Sequence, residues 1–85
     1  MEMFYYNLFV LNNDKLKQAN PSIDELNFAI DFLYVSIFEP YKLRRYKYRF
    51  CEKNIKLGSI VINVKGAEEY VSLYYVLKRF KNQII

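Results

Sequence analysis

The sequence predicts an α+β fold of the ferredoxin-like type, with elements in the order β-α-β-β-α-β. In this fold two helices cover one face of a four-stranded antiparallel sheet. Three observations support the prediction: a helix-capping signal at Ser22, a run of alternating residues before position 50, and an amphipathic helical pattern near the end of the chain. The 85 residues correspond to a single domain, 1–85, and 53% of them are hydrophobic, which is enough for a compact core.

The first predicted strand, Phe4–Leu11, is apolar on both faces. Because successive side chains of a strand point in opposite directions, Tyr6, Leu8 and Val10 share one face. A strand that is apolar on both sides is typical of the centre of a sheet. The polar stretch 12–21 that follows predicts a loop.

The first predicted helix begins after Ser22, because Ser22-Ile-Asp-Glu25 matches a capping box. Apolar residues then recur at helical spacing, and aromatic residues widen the stripe. These residues are Ile23, Leu26, Ile30, Leu33 and Ile37, with Phe28, Phe32 and Tyr34 beside them. Glu39-Pro40 predicts the end of the helix, since the residue before a proline is driven out of the α region.

The second predicted strand, Leu43–Phe50, alternates two kinds of chemistry. As a strand it would direct Arg45, Lys47 and Arg49 to one face, and Arg44, Tyr46, Tyr48 and Phe50 to the other. Cations on one face would lie roughly 7 Å apart, a spacing comparable to that of phosphates on an extended nucleic acid. The alternative is an edge strand whose charges only prevent aggregation.

The remaining elements complete the predicted order. Residues Cys51–Lys56 predict a polar turn, Leu57–Val64 a third strand, Ala67–Phe80 a second helix, and Asn82–Ile85 a short fourth strand. With both helices on one side, the other face of the sheet would be open. Apolar side chains on an open face suggest a docking surface for a partner, and the candidates are Tyr5, Phe9 and Val61, with Leu11 beside them.

Positive charge is concentrated in the second half of the chain. Residues 1–41 contain two lysines and six carboxylates, whereas residues 42–85 contain eleven lysines or arginines and three glutamates. Such clustering is typical of proteins that bind nucleic acid or another anionic surface, and a solvated face that maintains solubility is the alternative. The predicted RNA-binding residues are Lys42, Arg44, Arg45, Lys47, Arg49, Lys53 and Lys56.

The chain lacks the residues that several kinds of catalytic and metal-binding chemistry require. The chain has no histidine, and Cys51 is its single cysteine, which argues against a histidine-activated nucleophile and excludes an internal disulfide. Asp24-Glu25 and Glu68-Glu69 are explained as residues of first helical turns. The sequence therefore predicts no enzyme activity, no cofactor, no metal and no small-molecule substrate. No apolar run approaches the roughly 20 residues that span a bilayer, and no leader peptide is visible, so no membrane partner is expected.

RNA recognition motifs share the predicted topology, but they stack bases on aromatic residues of the third strand. Here that strand reads Gly58-Ser-Ile-Val-Ile-Asn-Val64 and has no aromatic residue. RNA binding, if present, is therefore expected to use lysines and arginines on phosphates and to read sequence weakly.

Several short motifs point to a known family. Met3-Phe-Tyr-Tyr6-Asn7 opens the apolar first strand, and an arginine pair, Arg44-Arg45, is followed by Lys53-Asn-Ile-Lys56 and then by Ile60-Val-Ile-Asn-Val64. In these residues and their spacing the chain resembles the small-subunit ribosomal protein six family, a bacterial-type family also found in organelles. Leu43 stands where that family has glycine, and no proline follows Tyr48.

The resemblance implies a structural constituent of the small ribosomal subunit, mitochondrial or of another organelle, with a cytoplasmic location as the alternative. Members of the family bind the central domain of small-subunit rRNA beside a neighbouring ribosomal protein of the protein eighteen type. Carried over by position, Arg44 and Arg45 would contact the rRNA.

Two other functions are compatible with the same residues. The chain could be a small ferredoxin-like interaction module, such as a viral or phage regulator, that dimerises through its open sheet face. It could also be a subunit of a different organellar assembly, in which the basic strand meets protein or anionic lipid.

Overall fold

The structure is a computed structural model that describes residues 4–84. Three strands and three helices follow one another in the order β1 (Phe4–Asn7), α1 (Asn13–Ala19), α2 (Ile23–Phe38), β2 (Lys53–Leu57), β3 (Ile60–Val64) and α3 (Ala67–Ile84). Three short 3-10 turns connect them, at Leu8–Val10, Pro40–Lys42 and Tyr46–Tyr48.

The predicted four-stranded antiparallel sheet is wrong. The described residues form a three-stranded mixed sheet in the order β1-β3-β2, in which β1 runs parallel to β3 and β2 runs antiparallel to it. The predicted fourth strand is the last turn of α3, which continues to Ile84, while Ile85 lies outside the described residues. Asn13 Nδ2 donates to Gln83 Oε1 at 2.9 Å, and Lys81 Nζ donates to Asn27 Oδ1, so this last turn is held against α1 and α2.

The N-terminal strand is shorter than predicted. It ends at Asn7, and Leu11 N donates to Leu8 O at 3.1 Å in the 3-10 turn that follows. The predicted loop at 12–21 contains α1, which Asn12 caps by accepting a hydrogen bond from Lys15 N at 2.9 Å. The helix buries Leu16 and Ala19 against the core, and this burial stabilises a polar segment in a helical conformation.

The capping box at Ser22 is confirmed. Ser22 Oγ accepts from Glu25 N at 3.0 Å, and Glu25 Oε1 accepts from Ser22 N at 2.9 Å. The helix ends at Phe38, before Pro40, as predicted. Of the predicted stripe, Leu26 and Leu33 are fully buried.

The β2–β3 hairpin begins earlier than predicted. Lys53–Leu57 is a strand rather than a turn, and Gly58-Ser59 is the two-residue turn that leads to Ile60. A turn of this kind favours glycine at its first position, where φ is +63°. The sequence signal that could have located the turn is this glycine, which stands between Lys53–Leu57 and the apolar run that begins at Ile60.

The segment that was predicted to form the second strand, Leu43–Phe50, is irregular. The sheet of the described residues contains only β1, β3 and β2, and this segment pairs with none of them. It forms instead a turn at Arg44-Arg45 and the 3-10 turn Tyr46–Tyr48. The alternation of cations and aromatics therefore does not correspond to two faces of a strand.

The helices cover one face of the sheet. Its side chains Ile55, Leu57, Ile60, Ile62 and Val64 join the core together with residues of all three helices. The other face, called here the open face, carries two rows of paired residues, Tyr5-Val61-Lys56 and Asn7-Asn63-Asn54.

Candidate nucleic-acid interface

The basic segment, defined here as residues 41–50, connects α2 to β2. Pro40 begins its first 3-10 turn, in which Leu43 N donates to Pro40 O at 3.0 Å. Lys42 Nζ lies 3.0 Å from Glu39 Oε1 in an exposed ion pair. This hydrogen bond raises the pKa of Lys42, so the side chain is charged but already has a carboxylate partner.

The far end of the basic segment is attached to α3 and its N-terminal turn. Phe50 packs edge-on against Tyr70 with ring centroids 5.2 Å apart, and Gly66 N donates to Phe50 O at 3.0 Å. The hydroxyl of Tyr70 donates to Cys51 O at 2.6 Å. Burial, helped by this contact, raises the pKa of Tyr70 to about 12, so the hydroxyl remains a neutral donor at physiological pH.

Four cations of the basic segment have no carboxylate partner within the described residues. Arg44 and Arg45 are exposed at the turn between the two 3-10 turns. Lys47 Nζ lies 5.1 Å from the ring centre of Tyr48, and the Arg49 guanidinium lies 4.6 Å from that of Phe50. These groups are therefore available to an anionic ligand.

Three tyrosines of the same segment are exposed, and two of them, Tyr46 and Tyr48, lie in a 3-10 turn rather than on one face of the predicted strand. The exposed fractions are 73% for Tyr41, 61% for Tyr46 and 56% for Tyr48. Residues 46–51 line a shallow depression of about 590 Å³. The segment thus presents aromatic rings and cations on one accessible stretch of chain. The abundance of tyrosine was visible in the sequence, but the absence of a pairing strand was not.

The two remaining predicted cations are on β2, outside the basic segment. Lys53 Nζ lies 5.6 Å from the ring centre of Phe32 on α2, and Lys56 is exposed on the open face opposite Val61. Five of the predicted cations therefore lie on one continuous segment between α2 and β2: Lys42, Arg44, Arg45, Lys47 and Arg49. The other two, Lys53 and Lys56, lie on β2.

The predicted partner-binding residues differ in accessibility. Tyr5 is 73% exposed on the open face, whereas Val61, on the central strand between Tyr5 and Lys56, is only 7% exposed. The side chain of Phe9 lies outside what the structure describes. On the same face Asn63 Nδ2 donates to Glu52 Oε1 and to Asn54 Oδ1, both at 2.9 Å, so much of this surface is polar.

Within residues 4–84 no group of three or more histidine, cysteine or carboxylate side chains could hold a metal ion. The helices of the same residues include none that is long and apolar enough to cross a membrane.

Comparison of the chain with protein-family models, curated proteins and solved structures found no match.

Proposed function

We propose that this protein binds single-stranded RNA through the basic segment and has a structural rather than a catalytic role. One observation supports this most directly: the exposed Tyr41, Tyr46 and Tyr48 lie on the same short segment as four cations that lack carboxylate partners within the described residues. Aromatic stacking contributes about 1–3 kcal/mol per base and tolerates any sequence, while lysine and arginine neutralise phosphates.

The conformation of the segment favours a single strand over a duplex. Reading a duplex groove requires a helix or a β-ribbon that can enter it, whereas residues 41–50 form only short turns. Exposed rings need unpaired bases on which to stack. A flexible strand could place bases on the tyrosines and phosphates near Arg44 and Arg45.

The small-subunit rRNA and the organellar, mitochondrial ribosome remain the predictions of the family resemblance. Arg44 and Arg45, on which that resemblance depends, lie in a turn rather than in a strand, and the ferredoxin-like sheet is not formed. Dimerisation through the open face has less support, because that face carries Asn54, Asn63 and Lys56 beside Tyr5.

The proposal is tested by fluorescence anisotropy with a labelled twelve-nucleotide oligouridine at several salt concentrations. We expect the double variant Arg44→Ala/Arg45→Ala to weaken binding about tenfold at low salt. Its salt dependence should also fall, by about 0.7 in log–log slope for each lost phosphate contact on a single strand. The double variant Tyr46→Ala/Tyr48→Ala should weaken binding with little change in slope, because stacking releases no counterions.

Lys78→Ala/Arg79→Ala is the matched control, since it removes two exposed cations from α3 and leaves the basic segment intact. It should retain most of the affinity. Equal losses in the two charge variants would mean that only net charge matters, and would contradict the assignment of the basic segment. A duplex bound as tightly as the single strand would contradict the stacking mechanism.

A further inference from the structure

A groove separates α2 from the outer side of β2, on a part of the molecule distinct from the basic segment. Its volume is about 450 Å³. The helix contributes Asp24, Glu25, Phe28, Ala29 and Phe32, and the strand contributes residues 53–56. The helix runs antiparallel to the strand, because Gly58 N donates to Glu25 Oε1 at one end and Lys53 lies over Phe32 at the other.

The strand side of the groove offers unpaired backbone groups. β2 is an edge of the sheet, since only β3 pairs with it within the described residues. A two-residue turn closes on a hydrogen-bonded pair, here Leu57 and Ile60, and such pairs alternate along antiparallel strands. The N–H and C=O groups of Asn54 and Lys56 therefore point away from β3, toward the groove, and could pair with another strand.

The helix side of the groove offers an apolar wall. Phe28 is 79% exposed, the largest exposure among the large hydrophobic side chains of the described residues. Ala29, Phe32 and Ile55 continue this surface toward the core. In a strand added beside β2, alternate side chains would point to the helix side and meet these residues.

On the helix side of the sheet the two ends of the groove carry opposite charges, since the side chain of Lys56, which also lines the groove, belongs to the open face. Asp24 is exposed at the end next to the hairpin turn, and no cation of residues 4–84 lies within ion-pair distance of it. Lys53 lies at the other end, four residues before Leu57 on the same face of the strand. A complementary strand needs a cation opposite the first end, an apolar residue in the middle and a carboxylate opposite Lys53.

We propose that this groove binds an extended peptide segment of another protein, which adds to β2 as an antiparallel strand. Running antiparallel, the segment would read basic-x-apolar-x-acidic, with all three specified side chains on the helix side. A second copy of β2 fits less well, because Lys53-Asn-Ile-Lys-Leu57 supplies no carboxylate and two copies would place four lysines on adjacent strands. This proposal is independent of RNA binding.

The test is a selection from a phage-displayed library of random nine-residue peptides on the full-length protein. Peptides that also bind the variant Lys56→Pro are removed from the pool. The variant Lys56→Ala is the control for loss of the lysine side chain alone. Proline removes the outward N–H of Lys56 without removing a hydrogen bond to β3, so the hairpin is preserved. Phe28→Lys is a second variant at an exposed position, and amide NMR spectra establish that each variant is folded.

We expect enriched peptides to share the basic-x-apolar-x-acidic pattern. A synthetic peptide of the enriched sequence should shift the amide resonances of Asn54 and Lys56, bind Lys56→Ala like the parent, and lose at least tenfold in affinity with Lys56→Pro and with Phe28→Lys. Failure to enrich a common pattern, or equal binding to Lys56→Pro, would overturn the proposal. A concentration-dependent dimer that Lys56→Pro abolishes would overturn it in favour of a second copy.

Discussion

The side chain of Ser36 is buried on α2, yet its Oγ has no hydrogen-bond partner among the residues that the structure describes. An unpaired hydroxyl in an apolar core costs about 1–3 kcal/mol. We therefore expect Ser36→Ala to raise the free energy of unfolding by about 1 kcal/mol, measured by urea denaturation. Ser72→Ala, at an exposed position of α3, is the control and should change stability little. Loss of stability in Ser36→Ala would show that the hydroxyl is bonded.

At the scale of single residues, the sequence predicted what short-range contacts determine. Ser22 and Glu25 are three residues apart, and their reciprocal hydrogen bonds require only the first turn of a helix. Tyr46 and Tyr48 could not be placed this way. Their exposure depends on whether the segment pairs with a strand of the sheet, and the sequence pattern of the segment does not determine this.

The β2–β3 hairpin contacts α1 through its turn. Ser59 N donates to Ala19 O at 3.1 Å, and a Cβ atom added at Gly58 would lie 2.0 Å from that same oxygen. Gly58 also has a φ of +63°, which disfavours other residues. Both backbone conformation and close approach therefore require glycine at this position.

We expect Gly58→Ala to destabilise the protein by about 3 kcal/mol, because steric overlap adds to backbone strain. Gly66→Ala is the control. Its φ is also positive, at +84°, but nothing lies within 4 Å of the added Cβ, so the cost should be about 1 kcal/mol. Thermal and urea denaturation of the two variants measure the difference. Equal losses of stability in the two variants would show that a side chain at position 58 does not clash with α1.

At the scale of elements, the helices with local signals were predicted, and so were strands at the positions of β1 and β3, but the strand predicted at Leu43–Phe50 does not form. The caps and stripe of α2 lie within the helix itself, so its limits followed from the sequence. The alternation in Leu43–Phe50 has the period of a strand, but a strand also requires a partner, which the sequence pattern does not reveal. α1 was missed because its stability comes from burying Leu16 and Ala19 against distant residues.

Glu25 links two distant parts of the molecule. Its Oε1 accepts from Ser22 N at the start of α2 and from Gly58 N in the hairpin, at 2.9 and 3.2 Å. These hydrogen bonds, with Ser22 contributing most, hold the pKa of Glu25 below its ordinary value of 4.5. The carboxylate therefore stabilises the fold above that pH, and this contribution is lost as the pH falls through the lowered pKa.

We expect Glu25→Gln to lower stability at pH 7 and to reduce the loss of stability on acidification from about pH 5 to pH 3. Urea denaturation at a series of pH values measures both effects. Glu68→Gln, in the first turn of α3, removes a carboxylate that contacts neither Ser22 nor the hairpin, and serves as the control. An unchanged pH profile in Glu25→Gln would contradict the role assigned to this carboxylate.

At the scale of the whole molecule, the predicted mixture of helices and strands correctly indicated an α+β fold, but the topology did not follow from the order of elements. A parallel partner for β1 and an antiparallel partner for β2 are both compatible with the same apolar strands. The extension of α3 to Ile84 depends on contacts of its last turn with α1 and α2. The candidate interface was located by charge, which is local in sequence, although its conformation was not.

The pairing of β1 with β3 has a consequence for the order in which the chain folds during synthesis. Phe4 is synthesised well before Ile60, its partner in the sheet. The first strand therefore cannot pair until residues 60–64 have left the ribosome. The hairpin of β2 and β3 pairs residues close in sequence and can form first. β1 would then join after the hairpin has formed, and until it pairs its free edge would be exposed to aggregation in a nascent chain.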